Sequence, residues 1–139
     1  MPIPIYEYPV VVQYSDIDEN HHANNVSYIR WMQEAAVAHS AANGWTNARY
    51  QELNYAWVAR RHTIEYLLPA KENENIIVKT WVATWKHVSS VRKYRFVRAS
   101  DDVVIASAET NWAFVNINTG KPTRIPHEVC ESFEVVESG

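Results

Sequence analysis

The stretch "SDIDENHHANNVSYIRW", residues 15–31, holds two aspartates, two adjacent histidines and three asparagines at a change of periodicity. Before it, "IPIYEYPVVVQY" (residues 3 to 14) is rich in β-branched and aromatic types and reads as a strand, with Pro9 marking an edge or an irregular start. After it, from Val26 to Asn43, Ala, Met, Gln and Glu take over. Val26, Ile29, Met32 or Gln33, Ala36 and Val37 fall at helical spacing. Asn24 or Asn25 suits the N-cap, Gly44 the left-handed stop, and Arg30 with Glu34 makes an i,i+4 pair. A strand therefore enters a polar turn, and a long helix leaves it.

Downstream, "TNARYQEL" (46 to 53) suggests a short second helix. Tyr55 to Leu68 reads as extended until Pro69, followed by extended runs at Ile76 to His87, Val91 to Ala99 and Val103 to Ile117. "SDD" (100 to 102) and "NTGKP" (118 to 122) supply turns. One strand, one long helix and four consecutive strands predict a single α+β domain over residues 1–139, a five-stranded antiparallel sheet covered by one helix. A sheet with open edges and an uncovered face predicts a symmetric dimer or larger assembly.

Composition removes several alternatives. A formal net charge of -3 and a pI near 6.0 give no cationic field for nucleic acid. The opening "MPIPIYEYPVVV" has no basic n-region, and no apolar run approaches the roughly 18 residues of a membrane span, so a soluble cytoplasmic protein without membrane partners is expected. The single Cys130 makes no internal disulfide and suits a reducing compartment. With three glycines, at 44, 120 and 139, neither a phosphate-cradling loop nor a glycine-flanked nucleophilic serine can be written.

The polar cluster itself has several readings. Asp16, Asp18 and Asn20 match the first ligand positions of a calcium loop, but His21 stands where glycine is required and Ser27 where a bidentate glutamate is required. His21 and His22 are adjacent and so point apart, and no second cluster with ligand spacing occurs among His39, His62, His87 and His127; no metal is expected. A capping turn accounts for the asparagines but not for two acids and two histidines together. A helix N-terminus with free N–H groups beside a carboxylate has the parts of an acyl-transfer centre, because those N–H groups stabilise the oxyanion formed when a carbonyl is attacked.

The segment resembles that of the small hotdog-fold acyl-CoA thioesterases of the 4-hydroxybenzoyl-CoA thioesterase type. That family carries a strand and then D-x-D-x-x-G-H-V-N-N-x-x-Y, matched here by Asp16, Asp18, His22, Asn24, Asn25 and Tyr28, with Trp31 in register. "RRHTIEYLLPAKENENIIVKTWV", "HVSSVRKYRFVR" and "ETNWAFVNINTGKPTRIPHEV" resemble its later strands and its Gly-Lys-Pro and Ile-Pro ending. His21 replaces the usual glycine and Ala23 the usual valine.

The resemblance implies hydrolysis of an acyl-CoA or acyl carrier protein thioester, without a cofactor, in a homodimer or homotetramer with its site between protomers. Asp18 would be general base or nucleophile, the N–H near Asn25 would polarise the carbonyl, and His22 would line the catalytic centre. Asp16, Asn24 and Tyr28 would line or brace the substrate site, Asp16 mainly by tying down the turn. On the "HVSSVRK" segment, Ser89, Ser90, Arg92 and Lys93 would meet the coenzyme A end, whose phosphates need a cationic mouth. Trp57, Trp81, Trp85 and Trp112 are expected in the core or at an interface. Two rival functions are a hotdog enoyl-thioester hydratase, whose aspartate-to-histidine spacing Asp16 and His21 share, and a non-catalytic acyl-CoA-binding protein.

Overall fold

The computed structural model describes residues 2–137. In chain order they form β1 (Tyr6–Val11), a 3₁₀ turn (Tyr14–Asp16), α1 (Asn25–Ala42), α2 (Asn47–Glu52), β2 (Tyr55–Tyr66), β3 (Asn75–Trp85), β4 (Ser89–Arg98), β5 (Val103–Asn116) and α3 (His127–Glu131). The strands make one antiparallel sheet in the order β1-β3-β4-β5-β2, with α1 against one face, which is the α+β hotdog arrangement expected. Of the consecutive strands, β3 pairs with β4 and β4 with β5, whereas β1 and β2, and β2 and β3, do not pair. Pro69 interrupts the chain after β2, and the following segment crosses to the other side of the sheet, leaving β1 and β2 as the two edges.

The start of α1 is fixed by Asn24, whose Oδ1 accepts from Ser27 N at 2.8 Å, and the chain leaves the helix through Gly44 at φ 95°. Its buried face differs from the one read by apolar spacing. Ser27, Tyr28, Trp31, Met32, Ala35, Ala36 and His39 are buried, whereas Val26 is 74% exposed and Val37 is 45% exposed. The aromatics turn the helix: Tyr28 meets Trp31, Tyr66 and Phe96 edge-on at centroid distances of 5.2, 5.0 and 5.1 Å. Ser27 and His39 can join this face because their polar atoms are hydrogen-bonded there.

Met32, Ala35, Val78, Phe96 and Ile105 complete the main core. A second cluster of Trp45, Tyr50, Phe114, Val129 and Phe133 closes the other end of the sheet. It draws on α3, a helix not anticipated from the sequence because its five residues are too few to show periodicity.

Met32→Ala should lower the unfolding free energy by about 2–5 kcal/mol, because it opens a cavity in a fully buried position. Val26→Ala should stay within about 0.5 kcal/mol. Urea unfolding of the two variants checks the orientation of α1, and equal costs would contradict it.

Candidate active site

The segment between β1 and α1 is built around a buried carboxylate. Asp16 has no exposed surface. Its Oδ2 accepts from Gln13 N at 2.8 Å, and its Oδ1 accepts from Ser27 Oγ at 2.8 Å and from Arg30 Nη2 at 2.6 Å. Its carbonyl accepts from Asn24 N at 2.8 Å. Burial works against ionisation, but the donors Gln13, Arg30 and Ser27 outweigh it and hold the carboxyl below its ordinary range. With its acceptors taken inside the chain, Asp16 braces the turn and offers no surface to a substrate, a correction to its expected place in the binding wall. Arg30 also reaches Glu34, but at 3.8 Å, so Asp16 is its principal partner.

From Asp16 the chain runs into a tight loop. Ile17 bridges Ala23, Asp18 N donates to His22 O at 2.9 Å, and His21 N donates to Asp18 O at 3.0 Å. His21 has φ 63°, in the left-handed region that glycine enters most freely, so the residue that departs from the family pattern occupies the one position of the loop with that geometry. The exposed Asp18 side chain accepts from Asn20 N at 2.9 Å and His22 N at 3.3 Å. Ala23 N donates to Ala70 O at 2.8 Å, pinning the far side of the loop to the β2–β3 connection.

The loop thus delivers Asp18 and His22 to the start of α1. Asn24 occupies the Ser27 N–H, whereas helix geometry leaves those of Asn25 and Val26 without intrahelical acceptors. Asp18, His22, Asn24 and Asn25 therefore share one region. Tyr28 does not belong to its surface: it is 2% exposed, and burial pushes its phenol up to about 12, which corrects its expected substrate contact to a core role. Asp16 and His21 do not meet as an acid and base pair, since the first is enclosed and the second lies exposed at the tip of the loop. Among the described residues no three His, Cys, Asp or Glu side chains stand together as a metal-holding group.

The β4 residues are divided by strand alternation. Ser89 and Lys93 are half-buried on the sheet face away from α1, with Lys93 opposite Glu109. Ser90 and Arg92 are buried on the α1 side, and Ser90 Oγ donates to Thr84 O at 2.8 Å. Arg92 is 6% exposed, too enclosed to serve a coenzyme A mouth as expected. Its Nη1 donates to His39 Nδ1 at 2.8 Å and to Thr80 Oγ1 at 3.1 Å. His39 passes this on through Nε2, which donates to Ile3 O at 2.6 Å. Burial and then Arg92 push the His39 pKa down to about 4, so its ring is neutral through ordinary pH. Burial also pulls the guanidinium below its usual value, but arginine remains a cation.

His39 and Arg92 were not legible as a pair, since they are distant in sequence and a polar residue on an apolar helix face gives no period. They stand beside a cavity of about 400 Å³ between the second half of α1, α2 and the sheet. Its walls include Tyr50, Tyr55, Trp57, Trp85, Trp112 and Arg92. Three of the four tryptophans expected in the core or at an interface therefore line a cavity, while Trp81 lies buried under Arg95. Within one chain, Asp18 precedes the first residue of α1, whereas the cavity is lined by its second half, from Gln33 to Ser40.

Residues 12–133 match the family model of the thioesterase-like superfamily. The chain belongs to that superfamily. It is 23% identical over 134 residues to the acyl-CoA thioester hydrolase YbgC of Escherichia coli, spanning 96% of this chain and 99% of that protein. The fold superposes on a DHNA-CoA thioesterase from Staphylococcus aureus with a TM-score of 0.86 at 18% identity, covering 93% of this chain and 90% of that one. An acyl-ACP thioesterase from Bacteroides thetaiotaomicron gives a TM-score of 0.81 at 27% identity, covering 87% of this chain and 49% of that one.

Asp16→Asn should cost about 2–4 kcal/mol at neutral pH, since one oxygen of a buried acceptor pair becomes a donor facing Ser27, Arg30 or Gln13. The folded-state pKa of Asp16 is depressed, so its contribution is complete above the unfolded value near 4 and is lost as pH falls through the folded one. Unfolding free energies of wild type and variant, measured from pH 7 to pH 2, should therefore converge at the acid end. A constant gap would contradict the assignment.

Proposed function

We propose that the chain hydrolyses acyl thioesters of coenzyme A or acyl carrier protein, with Asp18 as the reacting carboxylate. The observation that carries this reading is the closed loop that holds Asp18 beside the first turn of α1, where N–H groups of Asn25 and Val26 lack helical acceptors. Membership of the thioesterase-like superfamily and the likeness to YbgC support the reaction class. The thioester oxygen accepts from the Asn25 N–H as the carbonyl carbon becomes tetrahedral, and the helix dipole favours the growing negative charge. Asp18 either takes a proton from the attacking water or attacks the carbon itself. The tetrahedral species then collapses and the C–S bond breaks. When Asp18 has taken water's proton, it passes it to the leaving thiolate and free acid is formed directly. When Asp18 has attacked, the thiolate is protonated by solvent and water hydrolyses the Asp18 anhydride to the acid and the regenerated carboxylate. His22 and Asn24 line and brace this centre.

The reading includes a second copy of the chain. Edge strand β2 runs from Tyr55 and Trp57, which line the cavity, to Tyr66, which packs on Tyr28 in the first turn of α1. Pairing β2 with its own copy across a two-fold axis sets these ends opposite each other. The cavity of one chain then lies alongside the start of α1 and Asp18 of the partner subunit, joining the acyl pocket to the reacting carboxylate. Val58 at 47% exposure and Tyr66 at 43% would be covered in that pairing. A hydratase in which Asp16 and His21 act on one substrate is disfavoured by the enclosure of Asp16.

Light scattering should give a mass of at least twice 16.1 kDa at concentrations where thioester turnover is measured. An active species of 16.1 kDa would overturn the shared site. Asp18→Asn keeps the volume and much of the loop's hydrogen bonding but removes the carboxylate. Its kcat should fall by about 10²- to 10⁴-fold, with acyl-CoA affinity and assembly retained. Near-normal kcat in the folded variant would remove Asp18 from the chemistry. Single turnover in ¹⁸O-water separates the two routes, because label enters the Asp18 carboxylate only through an anhydride.

A further inference from the structure

Among the described residues Asp16 and Arg92 are the buried charged side chains, and they are treated very differently. Asp16 is neutralised by Arg30 and saturated with donors. Arg92, 6% exposed, has no ion pair among the described residues. Its only hydrogen-bond partners there, His39 and Thr80, are neutral, and both are served by Nη1. Nε and Nη2 make no hydrogen bond with a described residue, while the side chain forms part of the cavity wall. A guanidinium forks two parallel donors toward one carboxylate, and a buried cation without an anion is costly.

The position of Arg92 is set by its surroundings. His39 receives one Nη1 proton and hands its own Nε2 proton to Ile3 O, and Thr80 receives the other and donates to Lys93 O at 3.0 Å. Both acceptors thus have their own protons committed elsewhere, which holds Nη1 against the sheet. The walls combine aromatic rings with a few uncharged polar side chains such as Gln33, Ser40 and Gln51; Trp57 and Trp85 lie 5.9 Å apart between ring centroids and Phe133 5.6 Å from Trp85. At about 400 Å³ the cavity falls in the range of small-ligand sites, which run from about 300 to 1,000 Å³.

We propose that this cavity selects an acyl group with a flat apolar body and a carboxylate at its far end, the carboxylate pairing with Arg92 and the body lying among the tryptophans. The inference rests on the thioesterase reading and names the substrate class of that site. The phosphates of coenzyme A are not the anion concerned, because they are bulky and stay hydrated at a mouth, whereas Arg92 is enclosed at 6% exposure.

The test compares 4-carboxybenzoyl-CoA with 4-methylbenzoyl-CoA, which share shape and differ at the tip. Wild type should favour the carboxylate by about 10²-fold or more in kcat/KM, because a site built to bond a polar group discriminates strongly against an analogue lacking it. Arg92→Met should reduce that ratio by about 10²-fold, and Arg92→Lys should restore part of it. A wild-type ratio near one, or one favouring the methyl compound, overturns the proposal whether or not the variants fold. Quenching of tryptophan fluorescence by 4-carboxybenzamide and 4-methylbenzamide reads the same preference without turnover. Selective binding of the carboxylate by a protein that hydrolyses neither thioester would keep this inference and remove the thioesterase reading. Hydrolysis of both thioesters without preference would do the reverse.

Discussion

The buried carboxylate of Asp16 is the constraint on which the N-terminal half of the molecule depends. It joins the 3₁₀ turn through Gln13, the first turn of α1 through Ser27, and the second through Arg30. Its carbonyl, accepting from Asn24, fixes the residue that caps the helix. Four connections from one residue determine where the loop from Ile17 to Ala23 leaves the sheet and where it rejoins the helix. Asp18 owes its position to that closure and spends only its own acceptors on the loop. The two aspartates, two residues apart, divide the work: one is desolvated and saturated, the other remains exposed beside free helix donors. Identical side chains reach opposite roles through environment alone.

The other end of α1 repeats this logic with the opposite charge. His39 and Thr80 hold Arg92 by its Nη1 alone, and neutral acceptors leave its charge uncompensated. A carboxylate on a neighbouring strand would have made Arg92 a structural ion pair like that of Asp16, with nothing left to offer a ligand. Lys93, on the other face of the sheet, stands in register with Glu109. The difference in treatment follows the faces: the outer one is open to solvent, whereas the inner one encloses a cavity. The low dielectric that makes Arg92 costly when unpaired is also what makes it a strong anion site.

Much of this was readable in the chain. The order of strands and helices follows from period and turn chemistry, and the Asp-x-Asp segment through Tyr28 marks both the fold and the loop that carries Asp18. Besides α3 and the His39–Arg92 pair, three features were not readable. The orientation of α1 depends on Tyr28 and Trp31 fitting the sheet, so counting apolar residues pointed to Val26 and Val37, which are exposed. The separation of β2 from β3 in the sheet depends on a connection whose sequence shows only that Pro69 ends a strand. The side to which each β4 residue points depends on register, and a basic run in sequence turned out to be two sets of residues on opposite faces.

That last point decides how the two ends of the molecule relate. Arg92 and Lys93 are neighbours in the chain, yet only Arg92 can face a group lying between α1 and the sheet, while the first residue of α1 lies about 21 Å along the helix from His39, which Arg92 holds. A single chain therefore carries the proposed reacting carboxylate before the start of α1 and a charged pocket beside its second half. The two-fold pairing proposed along β2 would reverse one helix against the other and bring unlike ends together. In that proposed pairing, the length of α1, the edge position of β2 and the placing of Tyr55 and Tyr66 at its two ends would be parts of one geometric requirement. A thioester bound across that pairing would have its acyl tip read by one protomer and its carbonyl attacked by the other, so chemistry and selectivity would each be incomplete in an isolated chain.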